Sequence, residues 1–166
     1  MSNWLGRHFE KHNSRTPWDF CWRTAIEGLL LSFAVVIVLG MFVEEKPREL
    51  IEWSAALLIA GAVLAAPVIE TLVFQVIPIS IARALRAPLK VQILISGGLF
   101  ALPHFIEGLG VGIGAGVIGG LYFAYAFAHW ARKSFWTALW VTIVAHFLRN
   151  AISVSMLLAG RDLIEK

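Results

Sequence analysis

Four polar side chains lie inside long apolar runs of this sequence, where each needs a partner or a function. Glu70 lies in APVIETLVFQ, His104 ends FALPH, and His146 and Asn150 lie in HFLRN. His146 and Asn150 are four residues apart, which places both side chains on one face of a helix. A carboxylate, two imidazoles and an amide in water-poor surroundings could activate a water molecule and stabilise an oxyanion, which is the chemistry of hydrolysis.

Three of these side chains are expected at one depth. Glu70, His104 and His146 are each 13 or 14 residues from a basic residue of a neighbouring loop, which is about 20 Å of helix. Asn150 lies one turn further along. Equal depth on three separate helices predicts a shared buried site.

The composition indicates a membrane as the surroundings of this site. Of 166 residues, 58% are hydrophobic and 15% are charged, whereas soluble domains have about 45–50% apolar and about 25% charged residues. The net charge of +3 is modest, and the basic residues lie between apolar runs. They are typical of topology signals and exclude a nucleic-acid-binding surface. The only cysteine, Cys21, excludes an internal disulfide.

The apolar runs predict an all-α, polytopic transmembrane bundle of about five spans. The runs cover 24–43, 51–82, 91–106, 111–131 and 136–159. The second run would form about 48 Å of helix against a hydrocarbon core of about 30 Å. We therefore expect a long kinked second helix that bends at Pro67 and Pro78. If Pro67 divided it into two spans, the orientation of every later span would be inverted.

Basic residues set the expected orientation. With the N-terminus inside, the inner segments carry nine lysines and arginines and the outer segments carry four. This favours a multi-pass protein of the cell membrane with a cytoplasmic N-terminus. The expected organisation is a basic juxtamembrane segment at 1–23, a first transmembrane helix at 24–43, a core at 51–160 and a tail at 161–166.

The fourth run carries a stripe of small residues. Gly112, Gly116 and Gly120 recur every four residues, so another helix can approach this face closely. Admission of a substrate segment is the alternative role. Polar residues near the ends of the runs, such as Glu27 and His129, are expected to reach water.

The polar motifs together resemble those of the CPBP (CAAX protease and bacteriocin-processing, or Abi) family of glutamic-type intramembrane proteases. The resemblance covers roughly 51–158. It implies a membrane-embedded endopeptidase that acts on a membrane-associated protein or peptide, with Glu70, His104, His146 and Asn150 as catalytic residues. The motifs that carry it are Ala66-Pro67-x-x-Glu70 with Phe74, then Phe100-x-x-x-His104, a glycine-rich helix and His146-x-x-x-Asn150.

The sequence departs from the family pattern at two positions. The family usually has Glu-Glu-x-x-x-Arg, whereas this chain has Thr71 and Gln75 after Glu70. The two positions are one helical turn apart, so the missing charges would have formed an ion pair. Since both are replaced by neutral hydrogen-bonding residues, no charge is orphaned. We interpret the change as a swapped structural pair.

The expected mechanism has Glu70 as the general base that activates water, which His104 positions. His146 and Asn150 would donate hydrogen bonds to the oxyanion. A Zn²⁺ ion held by the two histidines and the carboxylate is an alternative, although the HExxH motif is absent.

Two non-enzymatic functions also stay open. The absence of the usual charged pair would suit an inactive relative that acts as a scaffold or an immunity protein. A proton-coupled carrier could use the same ionisable residues, although the sequence shows no internal repeat.

Overall fold

The computed structural model describes residues 16–43 and 53–164, in which helices and short turns occur without any β-strand. Five of the described helices are long and apolar enough to cross a membrane. The predicted all-α bundle of five spans is therefore confirmed. The helices are α1 (Pro17–Gly40), α2 (Ala55–Ala84), α3 (Leu89–Glu107), α4 (Leu109–Trp130) and α5 (Phe135–Ile164).

Helix α1 begins earlier than hydropathy indicates. Thr16 caps it by accepting a hydrogen bond from the backbone N–H of Asp19 at 3.2 Å, and Pro17 occupies the first turn. Capping chemistry, and not the start of the long apolar run at 24, thus sets the start of the helix. Residues 17–23, which the sequence places in the expected juxtamembrane segment, belong to this helix. The remainder of the expected juxtamembrane segment (1–15), the loop 44–52 and the end of the tail (165–166) lie outside the described residues.

Helix α2 is continuous and distorted where the sequence predicts bends. Its turns widen to π-helical geometry over Ile59–Ala65 and over Thr71–Val76. Each widened stretch ends just before a proline, Pro67 or Pro78. Proline has no N–H and its ring displaces the carbonyl of the preceding turn, which a wider turn accommodates. The prolines distort the helix without dividing it, so α2 is one span, and Glu70 lies between the two distortions.

Helix α4 lies at the centre of the bundle. Within its most apolar window 72% of residues are buried, against 22–33% in the other four spans. A Cβ atom at Gly116 would lie 3.0 Å from Ala101 Cα and His104 Cβ, and one at Gly120 would lie 2.8 Å from the carbonyl oxygen of Gly97. The glycine stripe is therefore occupied by α3, as the close-packing interpretation predicts, and it is not open to a substrate segment.

The close contact between α3 and α4 makes a testable prediction about two adjacent glycines. A Cβ at Gly97 would lie 2.9 Å from Leu121 Cδ2 and 3.2 Å from Leu121 N, whereas one at Gly98 meets nothing within 4 Å. Gly97→Ala should lower the free energy of unfolding by about 1–3 kcal/mol through overpacking. Gly98→Ala should leave it unchanged or raise it by up to about 1 kcal/mol through helix propensity. Thermal unfolding in detergent measures both, and equal effects would contradict the packing described.

Candidate active site

Glu70 and His146 face each other across the interface between α2 and α5. The Oε2 atom of Glu70 lies 3.6 Å from Nε2 of His146. The Glu70 side chain is 28% exposed, whereas that of His146 is 3% exposed. The structure therefore brings together two residues that are 76 positions apart in the sequence. It leaves the carboxylate accessible in front of a buried imidazole.

Two phenylalanines hold the His146 ring in place. The Phe123 ring of α4 stacks on it with centroids 4.1 Å apart and planes 24° apart. The Phe100 ring of α3 contacts it edge-on at 5.7 Å. Packing from two neighbouring helices thus fixes the orientation of the imidazole towards Glu70.

His104 shares one of these aromatic contacts. Its ring stacks on Phe100 at 4.6 Å, and its Nδ1 atom lies 2.8 Å from the carbonyl oxygen of Phe100. A carbonyl only accepts hydrogen bonds, so Nδ1 carries the proton, and Nε2 of the neutral ring is an acceptor. Phe100 therefore connects the two histidines, although it does not place His104 in direct contact with Glu70.

Asn150 is bonded to α2 at a different point. Its Nδ2 atom donates a 2.8 Å hydrogen bond to the carbonyl oxygen of Ala62. In this π-helical stretch a carbonyl bonds to the N–H five residues later, as that of Gly61 does to the N–H of Ala66. By the same spacing, the carbonyl of Ala62 would bond to the N–H of residue 67. That position is Pro67, which has no N–H. Asn150 thus supplies the missing donor, and its second amide hydrogen remains to be donated elsewhere.

Ser96 of α3 also bonds to α2, close to the second proline, and the sequence pattern alone did not identify it. Its hydroxyl, which is buried, donates a 2.7 Å hydrogen bond to the carbonyl oxygen of Phe74. Phe74 lies in the second π-helical stretch, four residues before Pro78. A small hydroxyl residue in the middle of the apolar run 91–106 was the signal that could have identified it.

Thr71 and Gln75 do not form the structural pair that the sequence predicts. Both side chains are fully buried. The Thr71 hydroxyl and both polar atoms of the Gln75 amide have no hydrogen-bond partner among the described residues. The substitution leaves no buried charge, as expected, but the two neutral groups do not bond to each other.

Of two residues expected to reach water, one is buried. Glu27 of α1 is partly exposed and accepts a 3.0 Å hydrogen bond from the Tyr122 hydroxyl. His129 is 7% exposed and stacks on Phe20 of α1 with ring centroids 5.7 Å apart. The early start of α1 explains the burial of His129, since its added turns cover the end of α4.

Arg149 is a further buried polar residue that the sequence analysis passed over. It lies between His146 and Asn150 on α5 and is 6% exposed. A charge in the middle of an apolar run, within HFLRN, was the signal that could have identified it.

The zinc alternative requires three ligands in one place. Among the described residues, no group of three histidine, cysteine, aspartate or glutamate side chains has an arrangement that could hold a metal ion. Glu70 and His146 together would supply two ligands. These positions do not fit a three-ligand zinc centre, so the catalytic steps below use side chains alone. Zinc dependence stays a prediction.

The unpartnered hydroxyl of Thr71 makes a prediction about stability. Thr71→Val keeps the shape of the side chain and removes a buried polar group that has no partner. It should leave the free energy of unfolding unchanged or raise it by up to about 1 kcal/mol. Ser96→Ala, which removes a bonded hydroxyl, should lower it by about 1 kcal/mol or more. Thermal unfolding of both variants tests this, and a destabilised Thr71→Val would show that the hydroxyl has a partner, such as a bound water molecule.

Comparison with known families identifies the core that holds these residues. The model of the family described as Type II CAAX prenyl endopeptidase Rce1-like matches residues 52–152. This range includes Glu70, His104, His146 and Asn150 and excludes α1. No curated protein and no solved structure matches the chain. The chain belongs to the Rce1-like family of type II CAAX prenyl endopeptidases, a protease family, and is an integral, multi-pass member of it.

Proposed function

We propose that this protein is an intramembrane endopeptidase that hydrolyses a peptide bond of a membrane-associated protein or peptide. The observation that carries the proposal is the partly exposed carboxylate of Glu70, 3.6 Å from the buried imidazole of His146. A carboxylate that other side chains leave partly uncovered, next to a fixed imidazole in apolar surroundings, is suited to general-base catalysis. Membership of a protease family supports the same chemistry.

In the proposed reaction, Glu70 takes a proton from a water molecule as the water oxygen bonds to the scissile carbonyl carbon. The Nε2 atom of His104, an acceptor in the neutral ring, positions that water by accepting its other hydrogen. The carboxyl group then returns its proton to the leaving nitrogen as the C–N bond breaks. No atom or proton is left over, since one water is consumed and an acid and an amine are formed.

The oxyanion of the tetrahedral intermediate requires hydrogen-bond donors. We assign this role to His146 and to the second amide hydrogen of Asn150, because both residues lie on the same face of α5. The existing bond from Asn150 to Ala62 would hold the amide in a fixed orientation. Donors held in place in a medium of low dielectric stabilise developing charge more strongly than they would in water.

An apolar groove supports a substrate that approaches from the membrane. A cavity of about 420 Å³ lies between α2 and α3, lined from Val73 to Leu85 on α2 and by Ile95 and Leu99 on α3. Phe74, at the end of the groove nearest Glu70 in sequence, contacts Phe100 edge-on at 5.7 Å. Phe100, which is buried, also contacts both histidines, so one aromatic ring lies between the groove and the site. We place the apolar segment of the substrate in this groove.

The central prediction concerns Glu70→Gln. This change keeps the size of the side chain and removes its basicity, so cleavage should fall by at least about 100-fold without loss of the fold. Cells that express the wild type or the variant are compared by mass spectrometry of their membrane and secreted proteins. A farnesylated peptide and a translocated protein with a membrane-spanning tail serve as defined substrates. Asp19→Asn, which alters an exposed carboxylate of α1, is the control.

Two outcomes would overturn the proposal. Identical products from wild type and Glu70→Gln would remove Glu70 from the role of base. Absence of any wild-type product, with a folded protein, would favour the inactive relative that acts as a scaffold or immunity protein.

Metal removal separates the water-activation mechanism from the zinc alternative. Because the proposed steps use only side chains, cleavage by the purified protein should survive treatment with 1,10-phenanthroline. The bound zinc, measured by atomic emission, should stay well below one ion per chain. Loss of cleavage that added Zn²⁺ restores would instead establish a metal site.

A further inference from the structure

Arg149 carries a charge into a part of the bundle where water is scarce. It lies three residues after His146 and one before Asn150, and it is 6% exposed. An arginine at mid-membrane is costly unless polar groups surround it. A buried arginine in an apolar helix is therefore expected to have a structural or catalytic role.

The guanidinium of Arg149 connects three helices. Its Nη2 atom donates a 2.7 Å hydrogen bond to the Ser32 hydroxyl of α1 and another of 2.7 Å to the carbonyl oxygen of Gly114 on α4. Its Nη1 atom lies 3.4 Å from the carbonyl oxygen of Ala115. The Ser32 hydroxyl, which has one hydrogen to donate, lies 2.7 Å from the carbonyl oxygen of Gly114 and 2.8 Å from that of Gly28 in its own helix. The charge is thus stabilised by dipoles from α1 and α4.

Helix α4 is shaped to receive this side chain. Its turns are π-helical over Gly112–Gly119, the stretch that presents the two acceptor carbonyls. A Cβ atom at Gly119 would overlap Nη1 of Arg149. The glycine therefore provides the space for the guanidinium, and this role is separate from the glycine stripe that faces α3.

A chain of contacts leads from Arg149 to the proposed catalytic pair. The guanidinium carbon lies 5.7 Å from the centroid of Phe123, and the same ring stacks on His146 at 4.1 Å. The neighbouring residue, Tyr122, bonds to Glu27 of α1. Helix α1 therefore contacts α4 through Tyr122, the residue next to Phe123, and contacts α5 through Arg149.

We infer that Arg149 is a positioning residue, which with Ser32 of α1 holds Phe123 and His146 in register with Glu70. Helix α1, outside the range matched by the family, is then part of the functional unit. The inference rests on the proposed function for its kinetic consequence only, since the position of His146 can be observed without turnover.

The test uses the full chain in nanodiscs with ¹⁵N-labelled histidine. Ser32→Ala and Arg149→Lys should each shift the ring signals of His146 and, with the substrate that the wild type cleaves, lower kcat by roughly tenfold while KM changes little. Lysine keeps the charge but lacks the planar guanidinium group with its several N–H donors, so it cannot form the hydrogen bonds to both helices. Adding Ser32→Ala to Arg149→Lys should cause little further loss, because the two changes break one set of contacts.

Thr24→Val is the matched control. It removes a buried hydroxyl of α1 whose partners among the described residues are carbonyls of its own helix, those of Phe20 and Cys21. It should change neither the His146 signals nor kcat. Unshifted His146 signals in both Ser32→Ala and Arg149→Lys would overturn the inference, as would fully additive losses of kcat. If Glu70→Gln showed the proposed function to be wrong, the His146 signals would still decide whether Arg149 positions this ring.

Discussion

A polar group in the middle of this bundle has to find its partner on a neighbouring helix, because the hydrocarbon around it offers none. Three backbone carbonyls illustrate the constraint. Those of Ala62 and Phe74 on α2 receive hydrogen bonds from Asn150 and Ser96, and that of Gly114 on α4 receives one from Arg149. Each of these carbonyls lies in a stretch of widened, π-helical turns, and a side chain from another helix bonds to it. Each distorted stretch of helix and the side chain that donates to its carbonyl therefore form one structural unit.

These bonds between helices explain how α2 keeps its distorted shape at the site. Glu70 lies on the short α-helical turn Ala66–Glu70 between two widened stretches of α2. The side chains that bond to carbonyls of these stretches, Asn150 and Ser96, come from α5 and α3, the helices that also carry the two histidines. The contacts that stabilise the distortions of α2 thus also bring the other helices into position. Close approach at Gly116 and Gly120 completes the arrangement by bringing α3 against α4.

The sequence predicts the parts of this structure that depend on composition and spacing. Five spans follow from hydropathy, and the meeting of Glu70 with His146 follows from equal depth along their helices. The start of α1 depends on the capping hydroxyl of Thr16, which hydropathy does not detect, and the burial of His129 depends on that start. The contacts of Arg149 could not be predicted, because they require the rotation of three helices about their axes. The spacing of residues along the sequence predicts how deep a side chain lies along its helix, but not how the helix is rotated about its axis.

The exceptions to the pairing of polar groups are themselves informative. Buried polar atoms without a hydrogen-bond partner among the described residues include the Thr71 hydroxyl, both ends of the Gln75 amide and Nδ1 of His146. Thr71 follows Glu70 directly, Gln75 lies one turn further, and His146 faces the carboxylate. Unsatisfied buried groups are costly, and proteins commonly satisfy them with ordered water. Since hydrolysis inside a membrane requires a place where water is bound favourably, unpaired polar atoms next to the proposed base are what such a site needs.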